Sequence, residues 1–157
     1  MYNRPLAYFI TFRTYGTWLH GDERGSFDRV QNRFGAVPIA PSEKLQHFER
    51  DNLAQEAIIL SDTQRVVVTQ AIRGVCSYRG WELLAQNVRT NHVHAVIAAD
   101  AKPERIMNSL KSWSTRRLRE AGLVAADARV WSRHGSTVYL FAPEKVAEKI
   151  NYVLHRQ

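Results

Sequence analysis

The chain of 157 residues has the length of one domain and is long enough to bury a single hydrophobic core. It carries 22 lysines and arginines against 15 acidic residues, and the resulting net charge of +7 favours an anionic partner, most commonly a nucleic acid. The single cysteine excludes an internal disulfide, and the apolar run over 6–12 is too short to cross a membrane, so we expect a cytoplasmic protein.

The first predicted element is a strand over residues 6–13, LAYFITFR, which are aromatic and β-branched. Residues 14–60 contain many glycine, proline and charged positions, and they predict a long irregular insertion with a short helix near 43–54. A loop of this length in a small domain is more often functional than idle. We therefore interpret residues 1–157 as one domain with an insertion at about 14–60.

The remaining elements are predicted as helix, strand, strand, helix, strand and helix over residues 61–81, 81–90, 92–99, 102–123, 128–141 and 143–157. Ser61 and Gln64 form a capping-box pattern at the start of the first helix, and Gly80 can end it. Pro103 and Gly122 stand at the two ends of the second helix. The order predicts an α+β fold of the ferredoxin-like (split βαβ) type, with an antiparallel sheet, helices on one face and an additional C-terminal helix.

Two histidines lie two residues apart in the strand over 92–99. The alternate positions of this strand are all apolar and predict the face beneath the helices: Val93, Ala95, Ile97 and Ala99. His92 and His94 therefore point together to the other face, which such a sheet leaves available for binding. They can converge on one metal ion if another element supplies a third ligand, whereas the alternative is two surface or hydrogen-bonded histidines. The sequence lacks the H-x-[ST] pairs of two-histidine phosphoesterases and the H-x-H-x-D-H motif of binuclear hydrolases.

The last predicted helix carries a tyrosine on its polar side. Its apolar stripe consists of Val146, Ala147, Ile150, Val153 and Leu154. Tyr152 lies about 160° from the centre of this stripe, so it is either an ordinary exposed tyrosine or a nucleophile. A phenol attacks phosphorus poorly unless a metal ion and cations polarise the phosphate. The histidine pair could hold that metal, and Lys149 and Arg156 could stabilise the developing charge.

The helix over 102–119 is strongly basic. It carries six cationic residues against one glutamate: Lys102, Arg105, Lys111, Arg116, Arg117 and Arg119. Cations of this kind bind phosphates, and Trp113 among them could stack on an unpaired base. The alternative is a solvated basic face with Trp113 in the core. Arg13, Arg89 and Arg133 lie near strand ends and add positive charge close to the histidines.

Four stretches of the sequence together resemble the single-tyrosine transposases of the HUH superfamily, with the REP-associated tyrosine transposases as the most similar branch. The stretches are YFITFRTYGTWLHGDERG, NVRTNHVHAVI, STRRLREAGL and VWSRHGSTVYL. The resemblance covers nearly the whole chain, because the strand, histidine pair, basic helix and late tyrosine occur in the family's order.

The resemblance implies that His92 and His94 hold one divalent ion, Mg²⁺ or Mn²⁺. It implies that Tyr152 attacks a phosphodiester of single-stranded DNA, giving a 5′-phosphotyrosine link and a free 3′-hydroxyl. Members of the family often recognise hairpins beside the cleavage site, and many are dimers, so the resemblance also allows a homodimer. A protein of this kind would be associated with the nucleoid when bound to DNA.

One position departs from the family pattern. The family often has Gln or Asn four residues after the tyrosine as a metal ligand, whereas this chain has Arg156, which cannot bind a cation. Gln157 is the expected third ligand, and His155 is the alternative. The residues expected to bind DNA are Arg13, Lys111, Arg116, Arg117, Arg119, Arg133 and His134.

Two other functions remain open. The same fold could bind hairpin DNA or RNA without cutting it, because ferredoxin-like sheets are also common RNA-binding platforms. An unrelated metal hydrolase could instead activate water, with Asp22 or Glu23 as further ligands. Only the transposase hypothesis requires a covalent product at Tyr152.

Overall fold

The computed structural model describes residues 4–17 and 55–155. Its elements in chain order are β1 (Ala7–Thr14), α1 (Asp62–Arg79), β2 (Glu82–Val88), β3 (His92–Ala98), α2 (Pro103–Glu120), β4 (Trp131–Leu140) and α3 (Pro143–His155). The predicted order of elements is thus confirmed. The short helix expected near 43–54 lies outside the described residues, as does most of the expected insertion.

The four strands form one antiparallel sheet in the order β2-β3-β1-β4. The two central strands, β1 and β3, pair with Tyr8 opposite Ile97 and Arg13 opposite His92. Together with the two helical crossovers, this order is the ferredoxin-like arrangement predicted from the sequence. β4 is an edge strand, and its register against β1 shifts between Phe12 and Thr14.

The helix ends follow the local signals in the sequence. At the start of α1, the backbone N–H of Gln64 donates to Ser61 Oγ, and the N–H of Ser61 donates to Gln64 Oε1. Gly80 ends this helix with φ 73°, a left-handed conformation that glycine adopts without steric cost. α2 begins at Pro103, and Gly122 follows its end with φ 69°. The capping box and both glycine stops are therefore confirmed.

The sheet has a hydrophobic cluster on each face. On the first face, α1 and α2 cover β-strand residues that include Val93, Ala95 and Ile97, as the strand alternation predicted. On the second face, α3 packs through Val153 against a smaller cluster that includes Phe9. The second face is therefore not fully available for binding, because the C-terminal helix covers part of it.

Close contact between α2 and β4 fixes the position of the edge strand. A Cβ atom at Gly135 would lie 2.5 Å from Met107 Sδ and 2.5 Å from the backbone oxygen of Thr11. Only glycine fits at this point without a backbone shift.

None of the helices in residues 4–17 and 55–155 is long and apolar enough to span a membrane.

Candidate active site

The histidine pair lies on the second face of the sheet. The ring centroids of His92 and His94 are 4.7 Å apart, with the rings edge to face. Asn91 Oδ1 lies 2.8 Å from His92 Nδ1, so the histidine donates this hydrogen bond. A hydrogen bond of 2.8 Å also joins Thr11 Oγ1 to Nδ1 of His94. Contacts of this kind at Nδ1 fix the ring orientation and favour Nε2 as the metal-binding atom.

The electrostatics of the site favour a neutral imidazole at His94. This side chain is 9% exposed, and burial is the main cause that lowers its pKa to about 4. The nearby positive charges of His92, Arg13, Lys149 and Arg89 lower the pKa further. His94 is therefore uncharged near neutral pH, which is the state that can coordinate a metal ion.

The C-terminal helix brings Tyr152 against this pair. The ring centroids of Tyr152 and His94 are 5.7 Å apart, and Phe9 lies beside both rings, 6.0 Å from Tyr152 and 5.3 Å from His94. Asn87 Nδ2 donates to the carbonyl oxygen of Val153 at 3.0 Å and ties α3 to β2. Asn87 is the register partner of His94, so this tie lies next to the histidine.

The apolar stripe predicted for α3 is rotated in the structure. Ala147 and Leu154, which helical periodicity places on the stripe, are exposed, while Lys149 is half-buried. At about 100° per residue, Tyr152 lies about 110° from the centre of the packed side, rather than opposite it. Tyr152 is 36% exposed, as its position outside the apolar stripe predicts, but its ring borders the packed side and contacts Phe9 and His94 rather than pointing fully away from that side.

Positive charge surrounds the tyrosine and the histidines. Lys149 Nζ lies 5.5 Å from the centroid of the Tyr152 ring and 4.9 Å from that of Phe9. Arg13 stands opposite His92 in the sheet register, on the same side as the histidines. These cations are suited to a bound phosphate or to a phenolate at Tyr152.

The histidines fit two positions of a metal site. Both rings are oriented through Nδ1, and His94 is neutral, as an imidazole ligand must be. Within the part of the chain that the structure describes, three or more His, Cys, Asp or Glu side chains do not cluster as a metal site. Gln157, the expected third ligand, lies outside the described residues, as do Arg156, Asp22 and Glu23. His155, the alternative ligand, is exposed at the end of α3.

A basic groove of about 580 Å³ lies between α2 and the start of β4. Its cationic lining residues are Lys111, Arg116, Arg119, Arg129 and Arg133. The ammonium of Lys111 donates to the backbone oxygen of Ser132 at 3.0 Å, and burial lowers its pKa. Arg119 donates through Nη2 to the backbone oxygen of Ala128 at 3.0 Å. Two of the expected DNA-binding residues thus also hold α2 to the start of β4 and to the segment before it.

The expected DNA-binding residues do not form one patch. Lys111, Arg116, Arg119 and Arg133 line the groove between α2 and β4, whereas Arg13 is beside the histidines on the second face and His134 is exposed on edge strand β4. Sequence reasoning missed Thr11, Asn87 and Phe9 around the site. The alternation of β1 places Thr11 and Phe9 on the same face as Arg13, and that signal could have indicated them.

Comparison with known proteins identifies the family. Residues 54–138, more than half of the chain, match the family model described as "Transposase IS200 like". The chain therefore belongs to the IS200-like transposase family, and its function is the transposase-type processing of DNA. The matched segment contains His92 and His94 and ends before Tyr152.

Two solved structures share the fold. One, described as a "putative transposase" from Deinococcus radiodurans R1, has a TM-score of 0.55 and 17% identity, with 99% of this chain and 94% of that chain covered. The other is a REP-associated tyrosine transposase bound to a REP hairpin, with a TM-score of 0.53 and 15% identity. The match covers 98% of this chain and 67% of that chain. No curated protein matches the sequence.

Proposed function

We propose that this protein nicks single-stranded DNA and rejoins or transfers the cut strand, with Tyr152 as the nucleophile. The observation that carries the proposal is the contact of the Tyr152 and His94 rings at 5.7 Å, with His92 adjacent to His94 at 4.7 Å. The tyrosine and the histidines lie together within one chain, which supports attack by Tyr152 in cis. The homodimer that the resemblance allows is then not required for the chemistry.

The proposed reaction exchanges one phosphoester bond for another. Tyr152 Oη loses its proton and forms a bond to the phosphorus of a DNA phosphodiester. The P–O3′ bond breaks, and the leaving 3′ oxygen takes up a proton to become a hydroxyl. The protein then holds a 5′-phosphotyrosine. Attack by a 3′-hydroxyl reverses the step without ATP, because the number of phosphoester bonds is unchanged.

The surrounding residues have distinct roles in this proposal. Lys149, whose Nζ lies 5.5 Å from the centroid of the Tyr152 ring, stabilises the phenolate of Tyr152. Arg13 binds the phosphate on the side of the site where the histidines lie. Thr11 and Asn91 hold the imidazoles in a metal-binding orientation. A divalent ion, Mg²⁺ or Mn²⁺, held by His92 and His94 with Gln157 as third ligand, would polarise the scissile phosphate.

DNA binding is proposed to use the basic residues outside the site. Arg133 and His134 on edge strand β4, with Lys111, Arg116, Arg117 and Arg119 on α2, would bind backbone phosphates. One solved structure of this fold is bound to a REP hairpin, which supports hairpin-flanked DNA as the substrate. A protein with this role would act in the cytoplasm and associate with the nucleoid through its DNA.

A denaturing gel tests the proposal directly. The protein is incubated with Mn²⁺ or Mg²⁺ and labelled single-stranded hairpin oligonucleotides taken from around its own gene. A band that survives SDS, requires the metal and is absent in Tyr152→Phe supports tyrosine chemistry. Tyr139→Phe, a change of an exposed tyrosine on β4, is the matched control and should keep the band. Cleavage without any adduct would instead indicate a water-using hydrolase.

A second function, binding of hairpin DNA or RNA without cleavage, is supported by one observation. Arg156, which cannot bind a cation, occupies the position at which the family often has a Gln or Asn metal ligand. If the protein binds hairpins without cutting them, hairpin DNA is retained on native gels, but no adduct forms with either metal. His92→Ala separates the two functions, because it should abolish an adduct and leave phosphate-dominated binding largely intact.

A further inference from the structure

Two aromatic side chains form a surface cluster on the outer side of the helical layer. Tyr78, near the end of α1, is 73% exposed, and Trp113 of α2 is partly buried beside it. Their ring centroids are 5.5 Å apart, and the planes are tilted by 40°. A tyrosine side chain this exposed contributes little to packing, so most of its surface is accessible to a ligand.

Arginines surround this aromatic pair. The guanidinium of Arg79 lies 5.8 Å from the centroid of Tyr78, and that of Arg116 lies 5.5 Å from the centroid of Trp113. In the described part of the chain, Arg79, Arg105 and Arg116 form no ion pair. Their positive charge is therefore available for an anionic ligand.

The cluster borders a shallow groove along α2. The groove has a volume of about 440 Å³, and none of its lining residues is acidic. Arg105 and Arg116 stand at its two ends, about 16 Å apart along the helix, with Ser109 and Ser112 between them. Small hydroxyl side chains between two arginines leave room for a sugar–phosphate backbone and can donate hydrogen bonds to it.

This surface is separate from the candidate active site. α1 and α2 cover the first face of the sheet, whereas His94 and Tyr152 lie on the second face beside α3. The basic groove between α2 and β4 shares Arg116 with the groove at the aromatic pair. A continuous positive surface therefore runs from edge strand β4 across α2 to Tyr78.

We propose that Tyr78 and the groove along α2 form a second binding subsite for single-stranded DNA. An unpaired base stacks on the exposed ring of Tyr78, and Arg79, Arg105 and Arg116 bind the phosphates beside it. The combination of a stacking aromatic and flanking cations is typical of single-strand binding without cleavage. The subsite goes beyond the proposed function, because it holds DNA away from the nucleophile and needs neither the metal nor Tyr152.

Fluorescence anisotropy with two probes tests the subsite in full-length Tyr152→Phe protein, which keeps the DNA uncut. One probe is a labelled single strand of mixed sequence, and the other is an abasic strand of the same length. Tyr78→Ser should weaken binding of the base-containing strand by about tenfold and leave the abasic strand unaffected, because only stacking is lost. Tyr78→Phe should bind as the parent does. Arg105→Ala should weaken the binding of both probes, and it should reduce the slope of log affinity against log salt concentration by about 1.

Tyr139→Ser is the matched control, because this tyrosine is also exposed, at 47%, but lies on β4 and does not line the groove of Arg79, Arg105 and Arg116. Unchanged binding of the base-containing strand by Tyr78→Ser would overturn the proposal. An equal loss with the abasic strand, or an equal loss in Tyr139→Ser, would also overturn it. The Tyr78→Ser protein with Tyr152 intact should still form the covalent adduct at saturating DNA, so failure of the subsite and failure of the tyrosine chemistry are distinguishable.

Discussion

The neutral state of His94 makes a prediction about stability at acidic pH. Its pKa is about 4 in the folded chain and about 6.5 when the chain is unfolded. Between these values the unfolded state binds a proton that the folded state does not, so stability falls as the pH is lowered from about 6.5 towards 4. The full difference corresponds to about 3 kcal/mol, and about 2 kcal/mol of this is lost by pH 5.

Urea unfolding with EDTA present, at pH 7 and pH 5, measures this loss. In His94→Gln the histidine contribution is absent, so its free energy of unfolding should change by about 2 kcal/mol less than that of the wild type over this interval. His134→Gln replaces an exposed histidine on β4 and should behave as the wild type does. Identical pH dependence in wild type and His94→Gln would refute the assignment of a buried, neutral imidazole.

Three further predictions concern packing and burial. Gly135→Ala should lower the free energy of unfolding by about 1–3 kcal/mol, because the new methyl group collides with Met107 and with backbone. In contrast, Gly74→Ala should raise the free energy of unfolding by about 0.5–1 kcal/mol, because the nearest atom of Trp113 is 3.9 Å away and alanine favours the helix. Equal urea midpoints for the two glycine variants would contradict this account. Burial raises the pKa of the Cys76 thiol to about 11, so a thiol-specific reagent at pH 8 should modify it only after unfolding. Rapid modification of the native protein would show that the thiol is accessible.

Much of the fold follows from local sequence signals. The capping box at Ser61 and Gln64 and the glycines at 80 and 122 fix the ends of α1 and α2 through backbone hydrogen bonds and permitted dihedral angles, which depend on near neighbours alone. The period-two pattern of β3 fixed the face of His92 and His94 for the same reason. Four strands and two crossover helices in this order then favour a ferredoxin-like sheet.

The surroundings of the histidines depend on residues distant in sequence. Thr11 meets His94 because β1 and β3 are neighbours in the sheet, and Asn87 holds α3 through Val153. The rotation of α3 that leaves Lys149 half-buried and Leu154 exposed is set by the shape of the second face, and helical periodicity alone cannot predict it.

The sequence by itself determined the elements, their order and the side of the sheet that carries the histidine pair, because dihedral preferences and side-chain alternation are local properties. The tertiary structure alone decided which groups meet there. The contact of Tyr152 with His94, the backbone ties of Lys111 and the exposure of Tyr78 beside Trp113 all arise from packing between elements. Burial and charge, which set the pKa of His94, exist only once those elements are assembled.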